Sequence, residues 1–81
     1  MLVRVVAFAR LRELLGRSSQ ELDVPAGATT TDVWNALVQR CAELRQLEGS
    51  TRIARNGRLT AQKEILADGD EVALLPPVGG G

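Results

Sequence analysis

The groups able to do chemistry in this sequence are few, and they collect at its end. The last three residues are Gly79, Gly80 and Gly81, so the terminal group is the α-carboxylate of a glycine. Residues without a Cβ can thread a channel too narrow for other side chains and take backbone angles that others avoid. A carboxylate is a poor electrophile, but activation by a partner as an acyl-adenylate opens it to attack by sulfur or by an amine. The plain reading of such a terminus is a frayed end that tolerates any change. Elsewhere the inventory is thin. Cys41 is the single cysteine, and the chain has no His and no Tyr. A His-based triad, a His-ligated metal and a Cys-cluster metal site are all excluded. The remaining carboxylates and the lysine fall in no paired motif, and no phosphate-cradling glycine loop is present. Catalysis by this chain alone is not expected.

The elements that must hold such a tail follow from periodicity and punctuation. Leu2 to Phe8 is rich in β-branched residues and reads as a strand. Val3, Val5 and Ala7 share its inner face, and Leu2, Arg4, Val6 and Phe8 its outer one. Ala9 to Leu15 carries leucines at helical spacing, with Gly16 placed for a left-handed cap. Ser19 to Val24 alternates as a second strand. Thr29 to Asp32 offers acceptors for a helix start, and the main helix is predicted from about Thr31 to about Leu44 on a stripe of Val33, Leu37, Cys41 and Leu44. Strands are expected at Arg52 to Arg55, at Arg58 to Thr60 after an Asn56-Gly57 hairpin turn, and at Glu71 to Leu75 after Asp68-Gly69-Asp70. Pro76-Pro77 ends the last strand, because neither residue can donate to a ladder.

This order predicts an α+β chain: a ubiquitin-like β-grasp roll whose mixed sheet carries one main helix across one face. Residues 1–77 would form the domain and residues 78–81 a flexible tail. The length of 81 residues supports a single domain, and 44% hydrophobic residues can furnish its core. Ten basic residues balance ten acidic ones, which argues against nucleic-acid binding. No apolar run is long enough to span a membrane, and neither a secretion signal nor a disulfide framework is visible, so a cytoplasmic location is expected.

The start LVRVVAFARLRELLG, the segment DGDEVALLPPV and the terminal Gly-Gly together resemble the small-subunit family of molybdopterin synthase. The resemblance covers essentially the whole chain and is most specific from Asp68 to Gly81. It implies a β-grasp sulfur carrier with no bound cofactor. Its terminal glycine, Gly81 here, would be adenylated by an E1-like activating enzyme that uses ATP, and then converted to a thiocarboxylate. The sulfur would pass to a cyclic pyranopterin precursor inside the large catalytic subunit. Gly80 and Gly81 match the family's diglycine, whereas Gly79 stands where Ser or Thr is more usual. The sulfur carriers of thiamin synthesis and of tRNA thiolation are similar, and a ubiquitin-like interaction module with an inert tail stays open as an alternative.

Phe8, Leu59 and Leu75 occupy positions that match an apolar docking patch in that family, and strand parity puts Phe8 and Leu75 on the outer face. Ile53 is expected to join them, since Arg55 two residues on should not point inward. Cys41, on the helix stripe, reads as a small buried hydrophobe. Arg52, Arg55, Arg58 and Lys63 form either a basic site or a solvated face. Asp68 and Asp70 read as turn formers near the root of the tail.

Overall fold

The computed structural model describes residues 1–61 and 63–77; Gly79, Gly80 and Gly81, with the tail boundary at residue 78, lie outside them. Strand β1 (Leu2–Ala7) is followed by helix α1 (Ala9–Leu15) and strand β2 (Ser19–Asp23). Helix α2 (Thr30–Arg40), a 3-10 helix (Ala42–Leu47), and strands β3 (Arg52–Arg55), β4 (Arg58–Leu59) and β5 (Glu71–Leu75) complete the roll. Gly16 closes α1 at φ 80° and returns its amide to the Arg12 carbonyl. At α2, Thr29 and Asp32 form a reciprocal capping box, which satisfies two amides that the first turn leaves free.

The five strands lie in the order β2-β1-β5-β3-β4. β1 pairs antiparallel with β2 and parallel with β5, and β3 is antiparallel to both β5 and β4. The first and last strands therefore sit side by side near the middle of a mixed sheet. Val3, Val5, Ala7, Leu22, Val72 and Leu74 line the face beneath the helices, where Val33, Trp34, Leu37, Leu44 and Leu11 meet them. Each fully buried Val or Leu contributes about 1.5 to 3 kcal/mol, so this one layer carries most of the stability of so short a chain. Among the described residues no helix is long and apolar enough to cross a membrane.

Two expectations are corrected. The main helix stops at Arg40, because Cys41 leaves helical geometry at φ −142° and ψ 89°. The tighter 3-10 helix then still delivers Leu44 to the core, fully buried. Ile53 lies on the helix side of the sheet: it is in register with buried Leu74 and packs against the core. Arg55 does share its face, as parity requires, but both side chains point to the side opposite from the one expected.

The reason lies in a polar network at the edge of that inner face. Arg55 donates from Nε to Asp70 Oδ2 at 2.8 Å and from a terminal nitrogen to Glu64 Oε1 at 3.4 Å. Asp70, only 8% exposed, also accepts from the Ala67 amide at 2.8 Å and from Asn56 Nδ2 at 2.9 Å. Asn56 Oδ1 in turn accepts from the Glu71 amide at 2.8 Å. A guanidinium can thus lie inward at the sheet margin because two carboxylates satisfy it. Nearby, the Leu2 amide donates to Asp68 Oδ1 at 2.8 Å, which ties β1 to the same turn.

Candidate functional site

The outer face of the sheet can be read row by row from the strand registers. Val6, Ala73, Ala54 and Leu59 fall in one row across β1, β5, β3 and β4. The next row sets Leu75 beside Arg52, and one further step of the β1–β5 register brings Phe8 next to Leu75. Phe8 is 46% exposed and Leu59 47% exposed, while Leu75 is half-buried. Between them Ala54 and Ala73 are only 6% and 9% exposed, although no helix covers this face. Larger neighbours shade these two methyl groups, so the surface is a shallow apolar saucer with an alanine floor and a rim of Phe8, Leu59 and Leu75. On its other side it ends at a charged row, where Arg4 stands between Glu21 and Glu71.

Phe8, Leu59 and Leu75 are thus brought together and Ile53 is not. Val6, Ala54 and Ala73 complete the saucer, and sequence reasoning singled out none of the three for it. Strand parity already places Val6 on the outer face and Ala73 on the face of Leu75, while Ala54 needed the register of β3. Apolar side chains gathered on one sheet face are unusual where, among the described residues, no helix covers them. Leu2 and Ile65 are also exposed, but away from the saucer.

Strand β5 determines where Pro76 and Pro77 stand. It lies between β1 and β3 and finishes at Leu75, inside the saucer rim. Pro76 and Pro77 then leave the middle of the sheet between Phe8 and Arg52. Proline holds φ near −65° and offers no N–H, so the chain leaves as a stiff segment that does not extend the ladder. The four residues beyond Pro77 can reach about 13 Å when extended.

The other candidate residues have local roles. Cys41 is half-buried, with Sγ 3.5 Å from the Leu14 carbonyl and its side chain against the core. Arg17 and Arg40 line a shallow hollow with it and Gln20. Hydrogen bonds from the Ala67 amide and Asn56 hold the Asp70 carboxyl below its ordinary range, with Arg55 adding to the effect and burial opposing it. Arg55 is shifted upward, chiefly by its bond to Asp70. Among the described residues no cluster of three or more metal-ligating side chains occurs.

A roll of this topology, with its last strand ending near the sheet centre beside an apolar face, defines a ubiquitin-like β-grasp protein. The ThiS family model matches residues 5–81. A molybdopterin synthase sulfur carrier subunit of Arabidopsis thaliana is 34% identical over 79 residues, covering 98% of this chain and 82% of that protein. The crystal structure of small archaeal modifier protein 1 from Haloferax volcanii superposes with a TM-score of 0.85 at 35% identity, covering 100% of both chains. A complex of subunits 1 and 2 of the molybdopterin-converting factor from Helicobacter pylori is similar with a TM-score of 0.71 at 28% identity, again over 100% of each chain. The chain belongs to the ThiS family.

Proposed function

We propose that this chain is the sulfur carrier of a molybdopterin synthase and works through the carboxyl group of Gly81. The observation that carries the reading is the placement of β5: the strand ending in the saucer rim is the one that sends the chain toward the terminal glycines. A partner seated on Phe8, Leu59 and Leu75 is thereby placed to receive the residues after Pro77. The similarity to sulfur carrier subunits, and to a structure in which subunit 1 is bound to subunit 2, supports the same reading.

In this proposal a Gly81 carboxylate oxygen attacks the α-phosphorus of ATP on an E1-like activating enzyme, and pyrophosphate leaves. Hydrosulfide, HS−, then attacks the acyl carbon, AMP leaves, and loss of the S–H proton gives the thiocarboxylate. The large subunit takes up the loaded tail and catalyses sulfur transfer to a cyclic pyranopterin precursor. The roll contributes placement, and the reactive atoms belong to the tail and its partners. The test is an intact mass after incubation with ATP, the activating enzyme and a sulfur donor. One sulfur-for-oxygen exchange at the C-terminus is expected, lost again when the large subunit and precursor are added. A chain that keeps its unmodified mass defeats the proposal.

The likeness to small archaeal modifier protein 1 favours a second reading. Attack on the same acyl-adenylate by a lysine amine would join Gly81 to another protein through an isopeptide bond. Higher-mass conjugates that persist under reducing, denaturing conditions would mark that outcome.

A further inference from the structure

The chain has no net charge, yet its charges are sorted along the strand direction. The ends of β1 and β5, the starts of β2 and β3, and helix α1 all lie at one end of the roll. The 3-10 helix packs against α1, and Arg40 shares a hollow with Arg17, so these too belong to that end. Arg10, Arg12, Arg17, Arg40, Arg45 and Arg52 are there, all exposed, against three acidic residues, Glu13, Glu43 and Glu48. Toward the opposite end lie Arg4, Arg55 and Arg58 with Glu21, Asp23, Asp32, Glu64, Asp68, Asp70 and Glu71, while Lys63 lines a hollow with both Arg52 and Thr30 and falls between the two ends. The side chains therefore divide into a surplus of three positive charges where β5 emerges and four negative charges toward the far end, with Lys63 between them.

The positive surplus is also available. Among the described residues only Arg10 of those six has a carboxylate within ion-pair distance, Glu13 at 3.5 Å. At the far end Asp70 and Glu64 are engaged by Arg55, and Asp23 is engaged by the N-terminal ammonium. The arginines are continuous with the saucer: Arg52 is in register with Leu75, and Arg10 and Arg12 come after Phe8 on α1.

We infer that the end of the roll from which the tail emerges is a cationic collar that docks on an acidic rim of the protein receiving the tail. The inference rests on the proposed carrier function and adds the chemistry of the partner's surface to it. Complementary charge steers encounter and fixes orientation more than it adds affinity, so the collar would turn the tail toward its channel before the saucer closes. Neutrality of the whole chain makes this a matter of orientation, because no net attraction exists.

The test compares two double variants of equal net charge. Arg17→Glu with Arg52→Glu reverses the collar, and Arg4→Glu with Arg58→Glu makes the same change toward the far end. Association rates with the large subunit and with the activating enzyme from the same organism are followed by stopped flow, and thermal melts verify folding. The collar variant is expected to associate at least about 10-fold more slowly at low salt. It should approach the wild type at about 1 M salt, where the screening length is about 3 Å. The far-end variant should stay close to the wild type throughout. Equal slowing by both variants, or wild-type rates indifferent to salt, would overturn the collar while leaving the carrier function intact. Failure of the wild-type chain to bind either protein at any salt would instead overturn the carrier function, and the collar with it. Retention of the wild type on duplex DNA or RNA at physiological salt would overturn the assignment of an acidic protein as the occupant.

Discussion

The Asp70 carboxylate gathers hydrogen bonds from Ala67, Arg55 and Asn56, so one side chain joins the β3–β4 hairpin to the turn that launches β5. Its folded pKa lies below the ordinary 3.8. Near neutrality the group is ionised whether folded or not, and its contribution is fully present. As pH falls from about 4 toward the depressed folded value, the unfolded chain binds the proton first and stability declines. Chemical denaturation of the wild type and of Asp70→Asn at pH 7 and pH 3 measures this. The variant should lose about 2 kcal/mol at pH 7 through a weakened network, and the gap should narrow at pH 3. A gap that stays constant with pH would show that the charge is not what the network uses. Cys41 gives a contrasting case, since its thiol packs against the core near Leu14. Cys41→Ala should cost about 1 to 2 kcal/mol and leave sulfur loading intact. Loss of loading in a folded variant would move the chemistry to the thiol.

Strand parity makes sharper predictions when whole elements are compared. Val5, 1% exposed under the helices, and Phe8, on the saucer rim, belong to opposite faces of the first strand region. Val5→Asp should unfold the domain, because a buried unpaired carboxylate costs several kcal/mol. Phe8→Asp should keep its melting temperature within a few degrees and weaken partner binding at least about 10-fold. Melts and pull-downs decide; equal melting losses would contradict the face assignment. In the hairpin, Asn56 and Gly57 take φ of 50° and 85°. Gly57→Ala should therefore destabilise by about 1 kcal/mol, whereas Gly49→Ala, with open space around it and no positive φ, should not.

Much of this architecture is legible in the amino-acid order. The strands at Leu2, Ser19, Arg52 and Glu71, the α1 cap at Gly16 and the Thr29–Asp32 start of α2 all follow from local chemistry. Ile53 departs from expectation because the rule that arginine avoids the inner face presumes that no acid waits there. Asp70 is distant in sequence from Arg55, and local patterning does not reveal that pairing. The break at Cys41 is hidden for a related reason: Leu44 keeps the helical spacing, although a 3-10 helix delivers it. The outer saucer is half visible, since its rim is large and apolar while its alanine floor carries no signal without the register.

Across the whole molecule, the proposed function divides the labour between body and tail. The described residues, which do not include Gly79, Gly80 or Gly81, close the sheet and bury its inner face by themselves. Removing Gly81, or adding a residue after it, should leave circular dichroism and melting unchanged while abolishing sulfur loading. Normal loading of the shortened chain would end the carrier proposal. Structural integrity and reactivity would then be properties of separate segments, and each can be lost without the other.

The parallel pairing of β1 with β5 also bears on biosynthesis. A ribosome makes β1 first and β5 last among these strands, so a growing chain must hold Val3, Val5 and Ala7 without their central neighbours Val72 and Leu74. Hairpins can form as they emerge, but this non-local pairing must wait for residues 71–75. Until then the nascent chain presents an incomplete apolar sheet of the kind that chaperones hold. Closure of the sheet therefore waits on the last strand to be made.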